Sequence, residues 1–296
     1  MGGKIIFSFE NTVVCVYTMS DGSEQEARGE KQGPRAKENR SKASELSSDL
    51  MKSDIYFISD AHLGGDPPDV EEEKEKRLLS FLEYIKDKAK VLYIVGDLFD
   101  FWFEYRRAVP NCYFRILKKL SDLRESGTRV VFIAGNHDIW TGPYLSREIG
   151  LEVRPGNCHP FHQGLSFFIS HGDGMVTGER GYRIQRWIMR NPVCVWLYKL
   201  LHPDLGIPLA RWVSGWSRNR SKPKPPGWNS TAYREVAIKK LSGSYDVVVL
   251  AHIHYPTLEE IGGKYYLNPG DWIDAFTYGK LSRGRLTLEK WAGPDV

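Results

Sequence analysis

Five short runs of large apolar residues constrain this chain most: IYFIS (55–59), VLYIV (91–95), VVFIA (130–134), SFFIS (166–170) and VVVLA (247–251). None alternates polar with apolar, so each reads as a strand whose two faces are both covered by other layers. Between the first two runs, Leu78, Leu82 and Ile85 recur at helical spacing behind the acidic stretch EEEKEK, which suits a helix N-terminus. Between the second and third, Tyr113, Ile116, Leu120 and Leu123 repeat the pattern, and Gly127 offers a stop. The chain therefore begins its core as β-α-β-α-β, an α/β architecture.

Each run ends in residue types that can bind metals. The first stops at Asp60 and His62, the second at GDLFD with Asp97, the third at GNHD with Asn136, His137 and Asp138, the fourth at HGD with His171, and the fifth at AHIH with His252 and His254. In an open α/β sheet the carboxyl ends of the strands form the ligand-binding edge, so these tips can converge although they span nearly the whole core. Carboxylate, amide and imidazole donors together suit intermediate divalent metals such as manganese, iron or zinc. Two such cations about 3.5 to 4 Å apart neutralise phosphoryl oxygens and generate the nucleophile that attacks phosphorus.

In this order, the motifs DxH, GDxxD, GNHD, HGD and a final HxH resemble the signature of the calcineurin-like metallophosphoesterase superfamily, from Ile55 to about Trp272. One position departs: Ala251 stands where the superfamily has the first glycine of GHxH. The resemblance implies a layered α/β/β/α sandwich with a helical cap insertion. It further implies one metal on Asp60, His62, Asp97 and His254, and a second on Asp97, Asn136, His171 and His252, with Asp97 bridging. His137 would stabilise the transition state or protonate the leaving oxygen. Asp100, Asp138 and Asp173 are expected behind the ligands, fixing loops or orienting imidazoles. His159, His162 and His202 fall outside the motifs and are read as ordinary histidines.

The segment between HGD and AHIH is long and unlike the rest. From Glu179 to Lys240 it has thirteen Lys or Arg against three acids, interleaved with Trp187, Trp196, Trp212 and Trp216, whereas the whole chain carries a formal charge of only +4. An insertion over about 179–242 is expected to form a helical cap with an apolar interior and a basic rim, suited to greasy, phosphate-bearing substrates at a membrane surface. Together with the aromatic run GDLFDFW, this cap is similar to that of the UDP-2,3-diacylglucosamine diphosphatase family of lipid A biosynthesis. That resemblance implies a manganese-dependent hydrolase that cleaves a nucleotide-linked acylated sugar at the cytoplasmic face of the inner membrane. Substrate contacts are expected from Arg183, Arg186, Trp187, Trp196, Trp212, Arg218 and Lys222. Many members of that family carry arginine where this chain has His137. A phosphodiesterase or nuclease of the same superfamily, whose cap would hold nucleic acid, is the alternative, and a non-enzymatic module on the same fold is a second.

The remaining features bound the problem. No apolar run is long enough for a membrane-spanning helix, and the N-terminus lacks the basic and apolar regions of a signal peptide, so a cytoplasmic, peripherally bound protein is expected. Cys15, Cys112, Cys158 and Cys194 form no CxxC pair, which argues against a disulfide framework or a thiolate metal site. From Ser20 to Leu50 large apolar residues are nearly lacking. Residues 1–50 are therefore expected to be a disordered or artefactual extension ahead of Met51, and residues 51–296 the catalytic domain.

Overall fold

The computed structural model describes residues 52–105, 107–176, 187, 189, 191–209 and 230–293. The expected extension over residues 1–50, and Arg183, Arg186, Trp212, Arg218 and Lys222, lie outside the described residues.

All five apolar runs are strands. They are β1 (Asp54–Ile58), β2 (Ala89–Val95), β3 (Arg129–Ile133), β6 (Leu165–Ser170) and β7 (Val247–Leu250). Six shorter or more polar strands join them: β4 (Glu152–Arg154), β5 (Phe161–His162), β8 (Thr257–Ile261), β9 (Lys264–Asn268), β10 (Thr277–Ser282) and β11 (Arg285–Lys290). The strands form two sheets, ordered β11-β10-β1-β2-β3-β4 and β5-β6-β7-β9-β8. β1 to β4 run parallel, as do β6, β7 and β9, with antiparallel strands at the margins.

The pleat explains why the parallel strands are apolar throughout. In β1, Ile55 and Phe57 join Val91, Tyr93, Phe167, Ile169, Val247 and Val249 in a core between the two sheets. Their neighbours Tyr56 and Ile58 point the other way, into a core with Leu78, Phe81 and Leu82 of helix α1 (Pro68–Ile85) and Ile116, Leu120 and Leu123 of helix α2 (Phe114–Glu125). Period-two alternation thus serves two cores at once. On the outer face of the second sheet, Phe168, Val248, Leu250 and Tyr266 meet a third core built on a helix, Ser230–Leu241. The layers are helix, sheet, sheet, helix, as the sequence implied.

In chain order α3 (Tyr144–Arg147) and α4 (Pro192–Lys199) come next, residues 203–209 are also helical, and Ser230–Leu241 is labelled α5. Helix α5 packs against β7 and β9, burying Tyr233, Ala237 and Leu241. This helix lies inside the span of about 179–242 expected for the insertion and packs on the second sheet. Asn191 caps α4, its side chain accepting from Val193 N at 2.9 Å, and Pro192 fits the first turn. Helix α4 buries none of its residues. Val193, Trp196, Leu197 and Leu200 are all more than half exposed, as are Trp187 and Leu205. No described helix is long and apolar enough to cross a membrane.

Candidate metal centre

The carboxyl ends of β1, β2 and β3 from one sheet and of β6 and β7 from the other open onto one place. Five of the residues there hold a left-handed backbone that non-glycine residues rarely adopt: Asp60, His62, Asp97, His252 and His254, with φ between 42° and 72°. Such strain persists only where the surroundings over-determine it, and it clusters at functional sites. Here the peptides are fixed from both sides. His62 N donates to Asp97 O at 3.0 Å, Asp60 N to Gly96 O at 3.1 Å, and His252 N to the Asp60 carboxylate at 3.2 Å.

Two sets of donor atoms result, Asp60 with His62 and His254, and Asp97 with His171 and His252, each within the reach of a single ion. Asn136 Oδ1 adds to the second set, 3.2 Å from His171 Nε2. Asp97 lies between the sets, its Oδ2 3.2 Å from His171 Nε2 and 3.7 Å from His62 Nε2. A third set, His62, Asp100 and His137, was not expected and widens the cluster on the His62 side.

These groups fit a cation. Asp60 Oδ1 and both ring nitrogens of His62 are buried yet hydrogen-bond to nothing among the described residues. His62 Nε2 stands 3.8 Å from Asp60 Oδ1, too far for a hydrogen bond and suited to an ion between them. The electrostatics agree. Burial pushes the Asp60 carboxyl up, yet the imidazoles of His254, His62 and His171 outweigh it and hold it at about 2. Burial pulls the His62 imidazole down, yet Asp100, Asp60 and Asp97 raise it to about 10. His171 is likewise lifted well above its ordinary value against burial, by Asp97 and Asp60. The carboxylates thus favour protonated His62 and His171, whereas burial and the charge of His171 lower His252 to about 4.

The ring nitrogens are oriented from behind. His171 Nδ1 donates to Val95 O at 2.9 Å, which turns Nε2 with its lone pair toward Asp97. His254 Nε2 lies 3.4 Å from Asp60 Oδ1, and its Nδ1 faces Asp271 Oδ2 at 3.8 Å. The other oxygen of Asp271 accepts from the backbone of Ile273, Asp274 and Ala275, so this carboxylate is rigid. His137 Nδ1 donates to Asp100 O at 2.9 Å, and its ring meets His62 edge-on. Asp138 ties two loops together, Oδ1 accepting from Gly135 N and Oδ2 from Leu98 N, each at 2.8 Å. Burial and the charge of Asp97 raise Asp138 to about 7. Ala251 is buried and its N donates to His171 O at 3.0 Å, so the departure from glycine is accommodated.

The sequence reading placed none of the outer residues Glu71, Lys74, Glu104 and Asp271. Glu104 is buried, accepting from Trp102 Nε1 at 3.1 Å and from Tyr144 N at 2.8 Å, which joins the loop after Asp100 to the loop after Asp138. Beside it lies a cavity of about 360 Å³ lined by Phe103, Trp140, Val195 and Lys199, between those loops and α4. Trp140 joins the two, its ring nitrogen donating to Met189 O and its ring meeting Tyr198 of α4. Of the expected substrate contacts, Trp187 and Trp196 are described, and both are exposed rather than closed over an interior. His159 and His162 pair with Tyr245 and Tyr93, and His202 with Asp204, away from the cluster.

Comparison with known proteins agrees with this geometry. A UDP-2,3-diacylglucosamine hydrolase of Porphyromonas gingivalis is 40% identical over 173 residues, 57% of this chain, and the chain spans 64% of that protein's length. Proteins of the same name from Ectopseudomonas mendocina and Azotobacter vinelandii are 31% and 30% identical, covering 70% and 69% of this chain and 84% and 83% of their own. The calcineurin-like phosphoesterase family model matches residues 53–256, a stretch that contains every residue of the two donor sets, and the chain belongs to that family.

Proposed function

We propose that this chain is a binuclear-metal hydrolase that cleaves the pyrophosphate of UDP-2,3-diacylglucosamine to UMP and 2,3-diacylglucosamine 1-phosphate. The observation that carries the reading is the coincidence of two things. Relatives named for that substrate match over two thirds of the chain, and the stretch matched by the family model, 53–256, contains both the donor cluster and the apolar, exposed helix α4.

Asp60, His62, Asp97 and His254 would hold one cation, and Asp97, Asn136, His171 and His252 the other, with Mn²⁺ suited to this mix of oxygen and nitrogen donors. When bound, two such cations neutralise phosphoryl oxygens and acidify the attacking water. The chain's own groups do the rest. His171 and His254 are held by Val95 O and Asp271 so that Nε2 faces inward. His137 keeps its Nδ1 proton on Asp100 O, which leaves Nε2 as the atom that exchanges a proton with the leaving phosphate oxygen. Asp138 and Glu104 keep the loops bearing Asp97, Asn136 and His137 in register.

Substrate selection falls to the insertion. Trp187, Trp196, Leu197 and Leu200 offer apolar contact area to acyl chains, and Arg183, Arg186, Trp212, Arg218 and Lys222 complete the contact, with the basic side chains on the phosphates. The same exposed apolar side chains, in a segment rich in Lys and Arg, favour peripheral binding at the anionic cytoplasmic face of an inner membrane. Residues 1–50 are dispensable on this reading, because the first core strand begins at Asp54.

The test is a Mn²⁺-supplemented hydrolysis panel of UDP-2,3-diacylglucosamine, the unacylated UDP-sugar, cyclic nucleotides and DNA. Each buried methylene contributes about 0.8 kcal/mol, so the diacyl substrate should exceed its unacylated counterpart in kcat/KM by several orders of magnitude. Equal rates on the two UDP-sugars would refute the lipid substrate, and dominant cleavage of DNA would replace it with a nuclease.

A further inference from the structure

Lysine is seldom fully buried unless paired, yet Lys74 on α1 is only 2% exposed. Its ammonium is held by three partners. Nζ donates to the backbone carbonyl of His62 at 3.1 Å and to Asp66 Oδ2 at 2.8 Å, and forms an ion pair with Glu71 Oε1 at 2.8 Å. Glu71 in turn accepts from Gly64 N at 2.8 Å and Asp66 N at 2.9 Å. The loop 62–66 is therefore wrapped around two side chains from the start of α1. His62 N and Leu63 N donate to Asp97 O and Leu98 O, so His62 is gripped on one side by the β2 loop and on the other, at its carbonyl, by the ammonium and by Gly65 N at 3.1 Å. This grip acts on a residue at φ 42°, where the backbone does not stay unaided.

We infer that Lys74 is a positioning residue for the centre: by binding the His62 carbonyl it helps hold His62 in its left-handed conformation and so sets cation affinity at the Asp60, His62 and His254 set. It touches neither substrate nor cation. A purely structural ion pair would fasten α1 to the loop and affect only stability. A positioning role affects one of two cation sites and leaves the other, built on Asp97, His171 and His252, as it was. The inference rests on the binuclear reading.

The experiment is Mn²⁺ titration of the full chain, with bound metal counted after dialysis. Lys74→Met keeps the length of the side chain and removes the charge. Asp66 and Glu71 keep partial access to water, and the apolar face of α1 is untouched, so the fold has what it needs. Loss of a group behind a ligand typically weakens metal binding by about 10- to 100-fold. The expected result is one tight and one weakened Mn²⁺ per chain, with a lower kcat, little change in KM, and recovery of kcat at high Mn²⁺. Two Mn²⁺ held at wild-type affinity, with only a lower Tm, would overturn the inference. Should Lys74→Met fail to fold, the combination of Lys74→Met with Asp66→Asn and Glu71→Gln removes the stranded charges and is read by the same two criteria. His62→Ala separates the two levels: if that variant still binds two Mn²⁺ tightly, the assignment of His62 as a ligand fails whatever Lys74 does.

Discussion

Replacing Gly135 with alanine should disable the centre while leaving the fold intact. Gly135 precedes Asn136 in the loop after β3, and a Cβ built there would sit 2.1 Å from Asp97 Oδ1 and 2.7 Å from Asp97 N. Ordinary contact begins at 3.4 Å, so the carboxylate would have to withdraw by the difference, about 1.3 Å. Asp97 cannot swing away freely, because its Oδ1 accepts from His137 N and its backbone is already left-handed. A misplacement of about 1 Å in a reacting constellation costs roughly 100-fold in rate, and Asp97 serves both donor sets, so the loss in kcat should reach at least that size. The assay is steady-state hydrolysis of a small chromogenic phosphodiester at saturating Mn²⁺, with metal content and circular dichroism in parallel. Gly156→Ala is the control, since a Cβ there meets nothing within 4 Å and Gly156 has an ordinary backbone. Wild-type kcat and two bound metals in Gly135→Ala would refute the bridging geometry of Asp97.

Asp97→Ala should lose both metals and all measurable turnover, whereas His137→Ala should keep both metals and slow turnover by about 100-fold or more, as for a lost proton-transfer group. Metal analysis beside kinetics distinguishes them, and an Asp97→Ala protein with two metals would contradict the assignment. Metal binding should also depend on pH in a defined direction. In the cation-free chain His62 at about 10 and His171 well above its ordinary value hold protons at neutral pH, and a cation must displace them. Binding at pH 7 should therefore release about two protons and weaken as the pH falls. Calorimetry in two buffers of different ionisation enthalpy measures the number, and a value near zero would show that those imidazoles are not ligands.

Much of this was legible in the residues. A parallel strand buried on both faces has to be apolar at every position, so β1, β2, β3, β6 and β7 stood out, and their polar ends marked the site. The helical spacing of Leu78, Leu82 and Ile85 likewise survived into the fold. What did not show was which sheet a strand joins, because Phe57 of β1 and Phe167 of β6 face the same core from opposite sides. Strands β8 to β11 were missed because they are half-buried or marginal and carry Lys, Glu and Arg on their open faces. Glu71 and Lys74 read only as part of an acidic helix N-terminus, with no sign that Lys74 is buried. Only the approach of α1 to the His62 carbonyl reverses that reading. Asp271 had no periodicity or neighbouring motif to mark it, and its partner His254 lies across a turn of the second sheet.

The division of donors between two sheets has a bearing on how the protein is made. Asp60 and His252 are 192 residues apart in sequence and meet through a hydrogen bond from the His252 backbone to the Asp60 carboxylate. On a ribosome the first strand, α1 and β2 emerge and can pair long before β7 exists. Neither proposed cation site can be complete until His252 and His254 have cleared the exit tunnel and β7 has docked beside β6. Metal capture is then a late step in biogenesis, and a nascent chain halted anywhere before residue 252 should fail to retain Mn²⁺ however well its first sheet has formed.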